Sequence, residues 1–413
     1  MNITLAYIDP GTGSLLLSGI IGVGIALVYS LKNIFYRFWG RLTGKKIGIS
    51  PDFSGKLVFY SEGAKYWKVF KPVLDELLRK EQEFVFLSSD TNDPGLTYIQ
   101  NKGITAHYIG EMQQAIFFLN KLKADICVIT TPQLGVLQLK RSKNVRHYSH
   151  ITHSPIDIHS YKFYAFDEFD SVLCCNQSLI KDLQFLEDLR QNKKKKLFET
   201  GCTYYDEMLI RPQDTAEPNL ILYAPTWGDI SSLSMAKQVM EELLENDFNV
   251  LFRPHPQSLI SDKVVLQELT DYFREDCKTE WKGRWELDEE KTFESAFSRC
   301  KAVICDLSGV IYDFVFLYQK PVFAFNTLAA LQVGYEGYYL QQELSAIKLL
   351  QTTGGKLLEQ EDTINIAPLV KKGLDEKIHQ NKDFVYDNFI FNFQQSGQIA
   401  AEQILSLRQE ILS

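Results

Sequence analysis

At 413 residues the chain is too long for one compact core and suits about two domains of roughly 100–200 residues each. Hydrophobic residues at 45% and charged residues at 23% exclude wholesale disorder and a polytopic membrane protein. The formal net charge of −8 is unevenly spread: Lys32, Arg37, Arg41, Lys45 and Lys46 against Asp9 give residues 1–50 a local +4, leaving −12 for the rest. An acidic body excludes general nucleic-acid binding, which needs a basic footprint. Seven cysteines, an odd number without C-x-x-C spacing, argue against a disulfide framework or a structural zinc site and fit a reducing compartment.

Residues 10–31 carry no charge, and a helix of that length spans roughly 30 Å, the thickness of a bilayer core. The basic groups follow this run, the reverse of a cleavable signal peptide. Tyr29, Phe35, Tyr36, Phe38 and Trp39 cluster at the same edge, as in an interfacial belt. The expectation is a single-pass anchor in the cytoplasmic membrane, with the body in the cytoplasm; a buried or re-entrant helix is the alternative. Ser14, Ser18, Gly22 and Ala26 recur every fourth residue, a small-residue face through which such helices could self-associate into a homo-oligomer.

Past the basic linker, short β-rich runs alternate with helical patterns. Strands are predicted at 57–60, 84–87, 104–109, 126–130, 145–149 and 171–175, with helices at 66–80, 111–122 and 177–190. Residues 211–218 (RPQDTAEP) are polar and bracketed by prolines, and read as a linker. The alternation then restarts, with strands at 220–224, 250–253, 302–305 and 321–325 and helices at 235–245, 259–273, 293–300 and 310–319. The organisation predicted is an anchor and basic linker over 1–50, a first α/β domain over 51–210 and a second over 211–413. Residues 331–413 would complete the second domain and return a helix across the cleft. Parallel α/β sheets bind ligands beyond the carboxyl ends of their strands, so the cleft between the halves is the expected site.

The sequence has no G-x-x-x-x-G-K-[ST], H-E-x-x-H or G-x-S-x-G, and no Asp-x-Asp at a strand end. Four polar loops at predicted strand ends remain. The first holds His150, His153 and His159; a histidine there could act as general base, its ordinary pKa of about 6.5 lying near working pH. The second is Ala224-Pro225-Thr226-Trp227. In the third, Arg253-Pro254-His255-Pro256, two prolines fix the loop and leave Arg253 and His255 as donors for phosphate oxygens. The fourth, Cys305-Asp306-Leu307-Ser308-Gly309-Val310, turns into a helix whose first amides, with Ser308, suit an anion. A lysine run at 193–196 reads either as a solvated loop or as a contact for anionic headgroups or acceptor phosphates.

At these residues the chain resembles the CDP-glycerol glycerophosphotransferase family, which builds teichoic-acid-type glycerol phosphate polymers. The likeness lies in APTWGD at 224–229, RPHPQ at 253–257, CDLSGVIYDFVFLYQKPVFAF at 305–325, the histidine loop within 153–176, and GCTYYDEML at 201–209. It implies an α/β, GT-B-like fold of two Rossmann-like domains facing across a cleft, with no obligatory metal or other cofactor. By the same likeness His153 would be the base on the acceptor hydroxyl and His255 would contact donor phosphates. Thr226 and Ser308 would line the pyrophosphate and polyol pocket, beside Pro225, Trp227 and Arg253, with Asp306 and Asp313 in support.

Two departures stand out. Gly309 occupies a position where many members carry a second serine, and the H-S-P form of the first loop leaves His150 as a rival to His153 for the base. The N-terminal YIDPGTGSLLL segment is similar to the anchors of bacterial exopolysaccharide-locus proteins. The expected function is transfer of a polyol phosphate from a CDP-polyol to a lipid-linked or glycan acceptor at the membrane. A nucleotide-sugar glycosyltransferase on the same scaffold is the alternative, and a non-enzymatic membrane scaffold is a third, disfavoured by the intact candidate groups.

Overall fold

A computed structural model describes residues 49–136, 139–209, 216–290, 292–340, 343–375, 385 and 388–413. The expected membrane segment, its small-residue face and nearly all of its basic collar lie outside the described residues. Among the described residues no helix is long and apolar enough to cross a membrane.

The first half forms a seven-stranded sheet from β1 (Leu57–Ser61), β2 (Phe84–Ser88), β3 (Thr105–Tyr108), β4 (Ala124–Ile129), β5 (Val145–Ile151), β6 (Ser171–Cys174) and β7 (Lys196–Glu199). Their order is β3-β2-β1-β4-β5-β6-β7, and every pairing is parallel. The second half adds β8 (Leu220–Ala224), β9 (Asn249–Phe252), β10 (Trp285–Leu287), β11 (Ala302–Asp306), β12 (Val322–Phe325) and β13 (Lys356–Leu358). That sheet runs β10-β9-β8-β11-β12-β13, again all parallel. Strands such as LVFYS and LILYA are buried along their whole length because helices cover both faces, so they read as apolar runs rather than alternating ones.

In each sheet the strand order reverses beside the first strand, between β1 and β4 and between β8 and β11. Loops leaving neighbouring strands diverge there, which opens a crevice at their carboxyl ends. The last helix, Ser396–Leu412, belongs spatially to the first half. Its Ala400, Ala401, Ile404 and Leu407 pack with Leu57, Phe59, Trp67 and Phe70. Gly397 sits so close to Pro72 that a Cβ would lie 2.6 Å from the proline ring, which leaves room for no larger residue. All seven cysteines are reduced and buried.

Two buried carboxylates join the halves. Asp157, in the loop after β5, accepts from Tyr312 Oη at 2.9 Å and from the amides of Ser345 and Ala346 at 2.9 and 3.0 Å. The last two open the helix Ser345–Thr353, where a carboxylate complements the unpaired amides. Glu336, in the second half, pairs with Arg190 and accepts from the amides of Tyr164 at 2.7 Å and Ala165 at 3.3 Å. Replacing Asp157 with alanine strands three buried donors at once. Urea unfolding of Asp157→Ala should show a loss of about 2–4 kcal/mol; an unchanged midpoint would remove Asp157 as a tie between the halves.

Candidate functional site

Strand β5 continues two residues beyond its predicted end, to Ile151, and so carries His150 into the sheet. His150 is fully buried, edge-on to Phe166 at 4.8 Å and Phe169 at 5.1 Å between ring centroids. Its Nε2 lies 3.0 Å from the carbonyl oxygen of Thr130, an acceptor only, so Nε2 carries the proton. Burial, with a smaller contribution from His153, pushes its pKa down to about 3. This is a neutral core histidine, hydrogen-bonded to its neighbouring strand.

His153 lies beyond the strand end. Its ring stands edge-on to Tyr66 at 5.5 Å, and its Nδ1 is buried without a hydrogen-bond partner. Burial first and the charge of Lys65 second push its pKa down to about 4. Lys65 holds its ammonium 4.6 Å from the centroid of the Tyr66 ring, so lysine, tyrosine and histidine form one contact chain near the first sheet's reversal point.

The facing loops come from the second half. Pro225 is buried at the end of β8, and the Thr226 amide donates to Asp306 Oδ2 at 2.7 Å. The Ser232 amide donates to both Asp306 oxygens at 3.0 and 3.1 Å, so Asp306 fastens the Thr226–Ser232 loop to the end of β11. Burial raises its pKa to about 6. Trp227 is 42% exposed and stacks on His255 at 6.1 Å and 29°. The Gln257 amide donates to His255 Nδ1 at 3.0 Å, which places the imidazole proton on Nε2. Partial desolvation and the charge of Lys65 lower the His255 pKa. One lysine thus acts on histidines from opposite halves.

Ser308 precedes the helix Gly309–Asp313, and its Oγ is buried without a partner. It also lines a small cavity of about 10 Å³ with Asp157, Ser160 and Tyr312, room for about one water. Two expected contacts are engaged elsewhere. Arg253 is held by the Asp288 carboxylate and donates to the Glu290 carbonyl at 3.2 Å, so its charge is matched within its own half. Asp313 accepts from Tyr205 Oη at 3.0 Å, and burial raises its pKa to about 7. Asp306 therefore supports the loops, with both of its oxygens taken by backbone amides.

The lysine run is no open basic patch. Lys193 lies 3.6 Å from Asp170, Lys194 pairs with Asp188, Lys195 pairs with Glu187 at 3.3 Å, and Lys196 pairs with Glu410. Its last residue opens β7. Asp157, His159 and Asp182 are the one buried trio among the described residues whose ligand atoms lie within 4.8 Å of one another, and Asp157 already serves three donors. The sequence reading missed Lys65, and the strand-end rule could have found it: the loop SEGAKYW follows β1 directly, at a reversal point, but its exposed lysine carries no motif.

The profile of the CDP-glycerol:poly(glycerophosphate) glycerophosphotransferase family matches residues 159–333. The match begins just past His153, so the place of His153 rests on its geometry. No curated protein matches the sequence. Among solved structures, the wall teichoic acid polymerase TagF superposes with a TM-score of 0.51 at 16% identity, over 95% of this chain and 99% of that one. A UDP-N-acetylglucosamine 2-epimerase from Listeria monocytogenes gives 0.55 at 14%, over 86% and 97%. HepE from Anabaena, crystallised with UDP and glucose, gives 0.50 at 10%, over 85% and 99%. At these identities the superpositions establish the GT-B-like fold alone. The family profile runs from the end of the first half through the facing loops of the second, and over residues 159–333 the chain resembles the CDP-glycerol:poly(glycerophosphate) glycerophosphotransferases.

Proposed function

We propose that this enzyme transfers glycerol phosphate, or a related polyol phosphate, from a CDP-activated donor to a hydroxyl of a lipid-linked or glycan acceptor in bacterial envelope polysaccharide synthesis. The observation that carries the reading is the contact chain Lys65–Tyr66–His153 at the end of the first half, with the Lys65 charge bearing on His153 and on His255 of the second. The acceptor oxygen attacks the phosphorus bearing the polyol, the pyrophosphate P–O bond breaks, and CMP leaves. His153 takes the acceptor proton. Its depressed pKa keeps it neutral, and able to accept, across the physiological range.

Lys65 and the Nε2–H of His255 face the anionic phosphates, where fixed donors stabilise charge developing on the leaving CMP. Lys65 takes the place that the sequence reading gave to Arg253. Binding the dianionic donor raises the His153 pKa by its charge and so strengthens the base once the substrate is in place. Backbone amides take both Asp306 oxygens, which leaves that carboxylate without a free acceptor for a hexose hydroxyl and favours the polyol donor over a nucleotide sugar. The charge-free run at 10–31, followed by its basic collar, would hold the enzyme at the cytoplasmic face where a lipid-linked acceptor lies.

Membranes carrying the protein, incubated with labelled CDP-glycerol, CDP-ribitol and UDP-sugars, should pass label from a CDP-polyol into a lipid or polymer fraction. His153→Ala should lower that transfer by about 10²- to 10⁴-fold; full activity in this variant would contradict the assignment. The acid limb of kcat/KM should lie below the pKa of free imidazole, since protonation disables the base only as pH falls through its depressed value. Lys65→Ala removes a cause of that depression and should shift the limb toward neutral pH. A limb that stays in place would separate Lys65 from the base.

A further inference from the structure

Gly309 opens a helix with a backbone outside the left-handed region, so its conformation does not require glycine. Glycine there costs about 1 kcal/mol against alanine in helix propensity. What sets it apart is a close neighbour. A Cβ built on Gly309 would lie 3.0 Å from Ser154 Oγ and 4.0 Å from Ser154 Cβ, its nearest neighbours outside its own turn. Ser154 belongs to the histidine loop of the first half, one residue after His153, and Gly309 to the turn of the second half, one residue after Ser308. A hydroxyl from one half therefore fills the side-chain position of the other, between the base and a serine whose Oγ is buried and unpartnered.

Building on the polyol-phosphate reading, we propose that Ser154 is a donor-site residue. It reaches across the seam into the space left by Gly309 and, with Ser308, hydrogen-bonds the transferred polyol phosphate. The donor pocket is then a composite of both halves, and the Ser154–Gly309 pair sets the size and hydroxyl pattern of the polyol accepted. Because Ser154 is adjacent to His153, a correctly seated donor also fixes the base.

The test uses the full-length protein in membranes and whichever CDP-polyol the wild type accepts. Ser154→Ala should raise the donor KM about 5- to 10-fold, the loss of one hydrogen bond to a charged group, with a smaller change in kcat. Gly309→Ser should lower kcat/KM at least as far, because its side chain meets Ser154. The double variant Ser154→Gly/Gly309→Ser, which moves the hydroxyl to the other side of the seam, should recover activity toward wild type. An unchanged KM in Ser154→Ala overturns the inference. So does a double variant no better than Gly309→Ser while sharing the wild-type unfolding midpoint. Failure of the wild type on every CDP-polyol is a separate result: it removes the polyol-phosphate reading, and this inference falls with it.

Discussion

The position of the histidine loop depends on one buried carboxylate. Asp157 cannot be left ionised in the protein interior without donors, and all three that it finds lie in the other half. That pairing draws the segment from His153 to Asp157 against the second sheet. Asn176 holds the same loop from behind: its Nδ2 donates to the Pro155 carbonyl at 3.2 Å, while its Oδ1 caps the following helix at the Leu179 amide. With both ends tied, Ser154 meets Gly309 and His153 packs against Tyr66. The histidine loop of the first half is thus located by the fold of the second.

The chain carries a net charge of −8, yet the donor proposed for it is anionic. The conflict is resolved locally by retiring acids from the cleft. Asp306 is engaged by backbone amides, Asp313 by a tyrosine, Glu336 and Asp288 by arginines. Lys65 then acts on both histidines, while Glu62 of its own loop accepts from Thr131 Oγ1 at 2.6 Å. The field that a donor phosphate meets is set by that one ammonium and by oriented imidazole, hydroxyl and amide groups, rather than by the total charge.

Much of this was legible in the sequence, for physical reasons. Strands covered on both faces appear as apolar runs, and the predicted strands of both sheets fall on observed ones. The edge strands were harder. β7 begins at the last lysine of the run, and β10 and β13 are three residues each, one of the three charged. The site was legible as loops at strand ends but not as contacts. His150 looked eligible only because β5 was read two residues short. Arg253 looked free because its partner, Asp288, lies on another strand's end, beyond the reach of local pattern. The reason for Gly309 became visible only when Ser154 arrived from the other half.

The central claim is that a hydroxyl in this cleft attacks phosphorus rather than a sugar carbon, and the two reactions release different nucleotides. Phosphorus-31 NMR of the full-length enzyme turning over its donor and acceptor reads this directly. Attack on phosphorus should remove the pyrophosphate signals and produce CMP and a new phosphodiester in equal amounts. Release of an intact nucleoside diphosphate, with no new phosphodiester, would contradict it.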